Sequence, residues 1–180
     1  GPYADGVTTI FDDAGSNNVP VNITTAVAPG LMLVASTGSY TFSGSGSISG
    51  SASLTKTNIG VLRLATSNSF TGNTLVLDGV LAVQHNQALG SAAGGTTVSN
   101  RGSVRIEGNG LLIAEPLTCL EPLYTDLTGF PTNSLLDNLA NTNTWSGAIT
   151  MGLTGENAPI KSSSGQLVLD SPTPIAGPGT

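Results

Sequence analysis

Apolar and polar residues alternate in short runs along most of this chain. Val61-Leu62-Arg63-Leu64, Thr74-Leu75-Val76-Leu77 and Val80-Leu81-Ala82-Val83 each change sides with period two, the pattern of a half-buried strand. Turn residues follow one another too closely for a helix to fit between these runs: Asn68-Ser69-Phe70-Thr71-Gly72 separates the first pair, and Asp78-Gly79 the second. The stretch from Leu54 to Gly90 therefore reads as one coil of a repeating β structure.

The pattern glycine, any residue, apolar, any residue, apolar or near-apolar recurs at Gly30, Gly60, Gly79, Gly102 and Gly165. The central spacings are 19 and 23, and the last interval, 63, divides into three steps of 21. A period of about 20 to 25 residues without helices is the mark of a β-solenoid. At about 21 residues per coil the chain would make roughly eight coils, a rod on the order of 40 Å long. Its two ends would carry unpaired strand edges.

A second marker is an aromatic, a hydroxyl and a glycine: Phe42-Ser43-Gly44, Phe70-Thr71-Gly72 and Trp145-Ser146-Gly147. Two copies extend back to an asparagine, Asn68 and Asn143. The expected structure is a corner. Asn hydrogen-bonds along a stack of turns, Phe70 or Trp145 fills the core where the chain bends, and Gly72 or Gly147 supplies positive φ.

Composition narrows the class further. Only 9% of the 180 residues are charged, and Gly, Ser, Thr and Asn fill the polar positions. With 38% hydrophobic residues the chain has enough apolar material to fold as one domain. The net charge is −6, and Lys56, Arg63, Arg101, Arg105 and Lys161 are too few and too scattered to neutralise a phosphate backbone, which excludes nucleic acid as a partner. No run of about 18 apolar residues is present, so no membrane span is expected here. Cys119 stands alone and reads as a small buried hydrophobe. Gly1-Pro2 reads as a tag scar, residues 3–177 as a single repeat domain, and residues 178–180 as the truncated lead into a following repeat.

The segment Lys56-Thr57-Asn58-Ile59-Gly60-Val61-Leu62-Arg63-Leu64, with Asn68-Ser69-Phe70-Thr71-Gly72-Asn73-Thr74-Leu75-Val76 and Gly79-Val80-Leu81-Ala82-Val83, resembles the autotransporter-associated β-strand repeat, also called the passenger-associated transport repeat. It departs at Asn58 and Asn73, where that family has glycine, and at Phe70, where it has tyrosine. Flanking segments extend the resemblance over roughly residues 5–118 and 135–177. The resemblance implies an all-β, right-handed parallel β-helix, exported to the extracellular space or the bacterial cell surface. It implies a non-catalytic passenger or stalk segment of a large surface protein, in an adhesion context, whose partners are neighbouring repeats of the same parent chain.

Residues 115–134 break the cadence, with Pro116, Pro122 and Pro131 among them, and read as an irregular excursion followed by a helical turn at 135–139. Either the excursion packs over the side of the coil, or Tyr124, Phe130, Glu121 and Asp126 form a carbohydrate-binding site for glycans or a host surface. A polysaccharide-active enzyme would need clustered carboxylates. The one adjacent pair, Asp12-Asp13, lies in a turn-like stretch where calcium is conceivable and a turn role is favoured. Arg63 and Arg105, two repeat periods apart, would project from one sheet with a coil between them and stay solvated, and His85 sits in a polar turn without triad partners. No catalytic residue, metal or cofactor is expected.

Overall fold

In the computed structural model the described residues are 3–15, 20–120, 134–152 and 160–175, and all their regular structure is strand. The strands are parallel and stack coil upon coil. The chain is a β-solenoid.

One face is a sheet of seven parallel strands, and these number the coils. They are Thr8–Asp12, Leu31–Ala35, Ser53–Thr57, the first half of Thr74–Val83, the first half of Thr96–Ile106, Leu117–Leu120 and Ile149–Gly152, in that spatial order. Among the described residues these seven strands, spaced about 4.8 Å apart, span roughly 29 Å, beside the roughly eight coils that the sequence suggests for the whole chain. A second face stacks Val21–Asn22, Tyr40–Ser43, Val61–Leu64, the remainder of the two long strands, Leu136–Asn138 and Ile160–Ser162. A third face is made of short pairs: Ala26–Val27 with Ser47–Ile48, and Leu112–Ile113, Thr142–Trp145 and Gln166–Leu169 in a row.

The register gives the true period. Thr9, Met32, Leu54, Thr74, Thr96, Leu117 and Ile149 occupy one inward column, at nearly even steps until the last, which is half as long again. The glycine motifs do not all mark the same face. Gly30 precedes a strand of the first, Gly60, Gly79 and Gly102 belong to the second, and Gly165 precedes a strand of the third. Division of the interval from Gly102 to Gly165 into three equal steps is therefore wrong. What these five glycines share is a close approach, since a Cβ at any of them would strike a backbone carbonyl of the coil below.

In coils 4 and 5 two strands that the sequence separates are continuous, Thr74–Val83 and Thr96–Ile106. Gly79 turns the first of them at φ 71°, and a side chain there would collide with the carbonyls of Gly60 and Asn58 one coil below. Only glycine allows both the conformation and the approach. In coil 5 an irregularity between Val98 and Arg101 absorbs an extra residue at the same bend.

Two local expectations are corrected. Residues 135–139 hold no helical turn: Leu136–Asn138 is a strand in register with Val104–Ile106 and Ile160–Ser162, because ladder pairing on both sides satisfies its backbone. The excursion also begins later than residue 115. Leu117–Leu120 is a full member of coil 6, with Leu117 and Cys119 pointing inward beside Thr96 and Val98, and Pro116 ahead of the strand had hidden that alternation. Residues 121–133 lie outside the described residues.

Candidate functional site

The predicted corners are the interior of the solenoid. Phe42, Phe70 and Trp145 are all fully buried. Gly44 has the expected positive φ, at 118°, but Gly72 and Gly147 do not. These two are glycine for another reason: a Cβ at Gly72 would strike the carbonyl of Ala52, and one at Gly147 the carbonyl of Glu115. The coil below passes too close for any side chain.

Asn68 ties three coils together. Its Oδ1 accepts from the Ile48 amide at 2.9 Å, and its Nδ2 donates to the Ala88 carbonyl at 2.7 Å. Asn143 does the same work in the C-terminal half, where its Oδ1 accepts from the Leu111 amide and its Nδ2 donates to Gly108, Asn138 and Ala140. Asn138 extends that chain to Ser162 and Ser164 of the next coil. Buried amides with both ends satisfied fix the register of successive corners.

Lys56, which the sequence reading only counted among the scattered cations, is an interior residue. It sits in the inward column between Val34 and Val76, 1% exposed, and is not a surface cation. Its Nζ donates to the carbonyls of Thr57, Asn58 and Asp78 at 2.9, 2.5 and 3.0 Å. Desolvation lowers its pKa to about 8, against a smaller opposing pull from Asp78. The strict alternation of Leu54 and Lys56 already pointed the side chain inward.

Arg63 and Arg105 flank Ala82 in one outward column, with one coil between them. They are not simply solvated. Glu107 receives Arg63 Nε at 3.0 Å, Arg105 Nη1 at 3.4 Å and Gln84 Nε2 at 3.1 Å. Farther along the column Asp137, 1% exposed, accepts from the Ser163 hydroxyl at 2.9 and 3.0 Å and faces Lys161 at 3.8 Å. Asp78 pairs with Arg101 at the bend.

At the other end of the solenoid, the Asp13 carboxylate accepts from the Ser36 hydroxyl and from both the amide and hydroxyl of Thr37, in the turn of the next coil. These donors, Ser36 foremost, hold its carboxyl below the usual carboxylate range. Asp12 accepts from the Ala14 amide. Both therefore serve turns. Cys119 is fully buried, and burial pushes its thiol up to about 12, which makes it inert. The suggested ligand-binding set, Tyr124, Phe130, Glu121 and Asp126, lies outside the described residues.

A cavity of about 450 Å³ opens where the turn at 85–92 meets residues 112–115 of the coil above, and it is lined by His85, Asn86, Leu112 and Glu115 among others. Asn86 Oδ1 accepts from the Leu112 amide at 3.1 Å and joins the two walls. His85 Nδ1 accepts from the Gln87 amide and shapes its own turn. Glu115 is 4% exposed, with the Thr96 hydroxyl 3.4 Å away, and desolvation raises its carboxyl to about 7 against the pull of Thr96 and the Gly95 amide. Such a group can give or take a proton near neutrality. Among the described residues it is the only carboxylate lining the cavity, and they form no two-carboxylate arrangement of a glycosidase there.

No family model, no curated protein and no solved structure matches the chain. Among the described residues no helix is long and apolar enough to cross a membrane, and no group of three or more His, Cys, Asp or Glu is placed to hold a metal ion.

Glu115 yields a measurable pH effect. Its raised pKa makes the folded state bind its proton more tightly, so the stability it contributes is complete below the unfolded value of 4.5 and is lost as pH rises through about 7. The loss amounts to roughly 3 kcal/mol. Glu115→Gln is expected to flatten urea-unfolding stability across that window and to raise it at pH 8. An unchanged slope would place the carboxylate in contact with solvent.

Proposed function

We propose that this chain is a non-catalytic β-helical stalk segment of a large bacterial autotransporter-like surface protein, working in an adhesion context outside the cell. The observation that carries this reading is the unbroken ladder. Every coil from Thr8–Asp12 to Ile149–Gly152 is paired to the coils beside it, and the charged side chains of coils 3 to 7 named above are committed to ties between coils or to its interior. A rod of this kind holds a distance and a direction. The edge strands Thr8–Asp12 and Ile149–Gly152 each pair on one side only among the described residues, which suits them to neighbouring repeats of the same parent chain. The repeat resemblance of residues 56–83 fits this reading, since those residues form one complete coil and its corner. Folding coil by coil also suits export of an unfolded chain.

Carbohydrate binding is the second reading, and the cavity lined by His85, Asn86 and Glu115 favours it, since polar groups beside the apolar Leu89 and Leu112 suit a hydroxylated ligand. One experiment separates the two: a glycan-array screen of the chain beside two variants, Tyr124→Ala with Phe130→Ala, and Asn86→Ala. The stalk reading expects no retained glycan from any of them. Glycan retained by the parent chain and lost from either still-folded variant would replace the stalk with a carbohydrate-binding module and locate its site.

A further inference from the structure

The outer surface of the seven-stranded sheet is unusual for a water-facing strand face. Its central outward column is Ile10, Leu33, Thr55, Leu75, Thr97, Thr118 and Thr150, one residue per coil. The neighbouring outward positions are Leu31 and Ala35 in coil 2, Ser53 and Thr57 in coil 3, Leu77 in coil 4, Ser99 in coil 5 and Leu120 in coil 6. From coil 2 to coil 7 none of these positions is charged, and the charge of Asp12 lies at the coil 1 end. In a chain of net charge −6 this is a face where two copies can approach without like charges meeting.

The face is also corrugated. Leucines fill coils 2 and 4, and smaller hydroxyl residues fill coils 3 and 5, so ridges and grooves alternate with a period of two coils, about 10 Å. A two-fold axis along the strand direction between coils 3 and 4 exchanges coil 3 with 4, coil 2 with 5 and coil 1 with 6. Leu75 of one copy then lies on Thr55 of the other, Leu33 on Thr97, and Ile10 on Thr118. Each of these three ridges enters a groove, and at the coil 1 end Asp12, the one charged residue of the face, comes to lie over Leu120 of the other copy. A two-fold along the rod would instead set Leu33 on Leu33 and Leu75 on Leu75, leaving gaps over the hydroxyl coils.

We propose that two copies of this chain associate face to face through this sheet, with their rods antiparallel. Six coils about 4.8 Å apart and strands about 17 Å long offer roughly 500 Å² per copy, or about 1,000 Å² in all, at the lower limit for a specific interface. The contact is isologous and closed, so it stops at a dimer, and its small area gives micromolar or weaker affinity. This inference is independent of the export reading, because it uses only the register and the outward side chains.

Sedimentation equilibrium of the whole chain from micromolar to millimolar concentration tests it. The chain is expected to show a reversible monomer–dimer equilibrium that stops at two. Leu75→Lys and Thr97→Lys, both outward and both compatible with the fold, are each expected to weaken dimerisation more than about tenfold, because the two-fold doubles each change. Leu112→Lys, an equally apolar exposed site on the third face, is the control and should leave it unaltered. A chain that remains monomeric to millimolar concentration overturns the proposal. So does association that survives both face variants, and so does an open-ended series of oligomers, which would come from the strand edges at the rod ends.

Discussion

Trp145→Ala is expected to lower the unfolding free energy of this solenoid by about 3–5 kcal/mol. Trp145 is the largest of the fully buried side chains, and it ends a strand of the third face between Ile113 below and Leu169 above. The coil around it cannot close over the void, because its corner is held from two sides. Asn143 fixes the strand's start through four hydrogen bonds, and Gly147 is pressed against the carbonyl of Glu115. A cavity that cannot collapse keeps its full cost. The indole nitrogen has no hydrogen-bond partner among the described residues, so the packing of the ring and not its N–H carries the effect. Trp145→Phe, which keeps most of the ring and removes the unpaired donor, is expected to cost much less. Chemical denaturation of both variants checks this, and equal losses in the two would show that the corner reads volume with no slack at all.

The second large effect belongs to Lys56. Its ammonium gives up water, which is unfavourable, and gains the half-buried carbonyls of Thr57 and Asn58 and the buried carbonyl of Asp78, which have no other side-chain donor among the described hydrogen bonds. Lys56→Met keeps the packing of the stem in the column between Val34 and Val76 but removes all three hydrogen bonds, for an expected loss of about 1–3 kcal/mol at neutral pH. The pH dependence distinguishes this from a simple packing defect. A folded pKa lowered to about 8 means that the unfolded chain binds this proton more tightly, so the contribution of Lys56 is greatest above the unfolded value of 10.5 and is lost as pH falls through 8. The parent chain should therefore gain roughly 3 kcal/mol from this group between those values, while Lys56→Met should not. The gap between the two proteins widens with alkalinity. A constant gap in urea melts at pH 7 and pH 10 would mean that the amine is already hydrated in the folded state.

Much of the architecture was legible because parallel coils impose one demand over and over. Alternation with period two, a steady repeat length, and an asparagine, an aromatic and a glycine at a corner are all local signals of a ladder, and each corresponds to a buried column in the structure. What escaped was whatever depends on the coil above or below. The positive φ expected of Gly72 and Gly147 came from reading each as an isolated turn, whereas the backbone of the adjacent coil is what excludes a side chain there. Asp78-Gly79 reads as a turn between two strands, yet the strand runs through it because the coils on both sides keep pairing across the bend. Leu135-Leu136-Asp137-Asn138-Leu139 has no strand alternation that a short window could find, and its state is decided by the Val104–Ile106 and Ile160–Ser162 strands that flank it. The His85–Glu115 cavity is made where the turn at 85–92 meets residues 112–115 of the next coil, with no motif joining them. Lys56 differs from these, since its alternation with Leu54 puts it on the inward side and that local signal was there to be read.

The last step of the ladder is half as long again as the earlier ones, and yet Leu117, Thr118, Cys119 and Leu120 face Ile149, Thr150, Met151 and Gly152 one for one. Chain length between strands and alignment of the strands are thus separate quantities in this architecture. An insertion at a corner is inherited without penalty to the coils beneath or above it, provided that it returns the chain to the same entry point. A lineage of such proteins can acquire and shed corner segments freely while its columns of inward residues drift slowly, and two descendants would keep the same cross-section long after their spacings had ceased to agree.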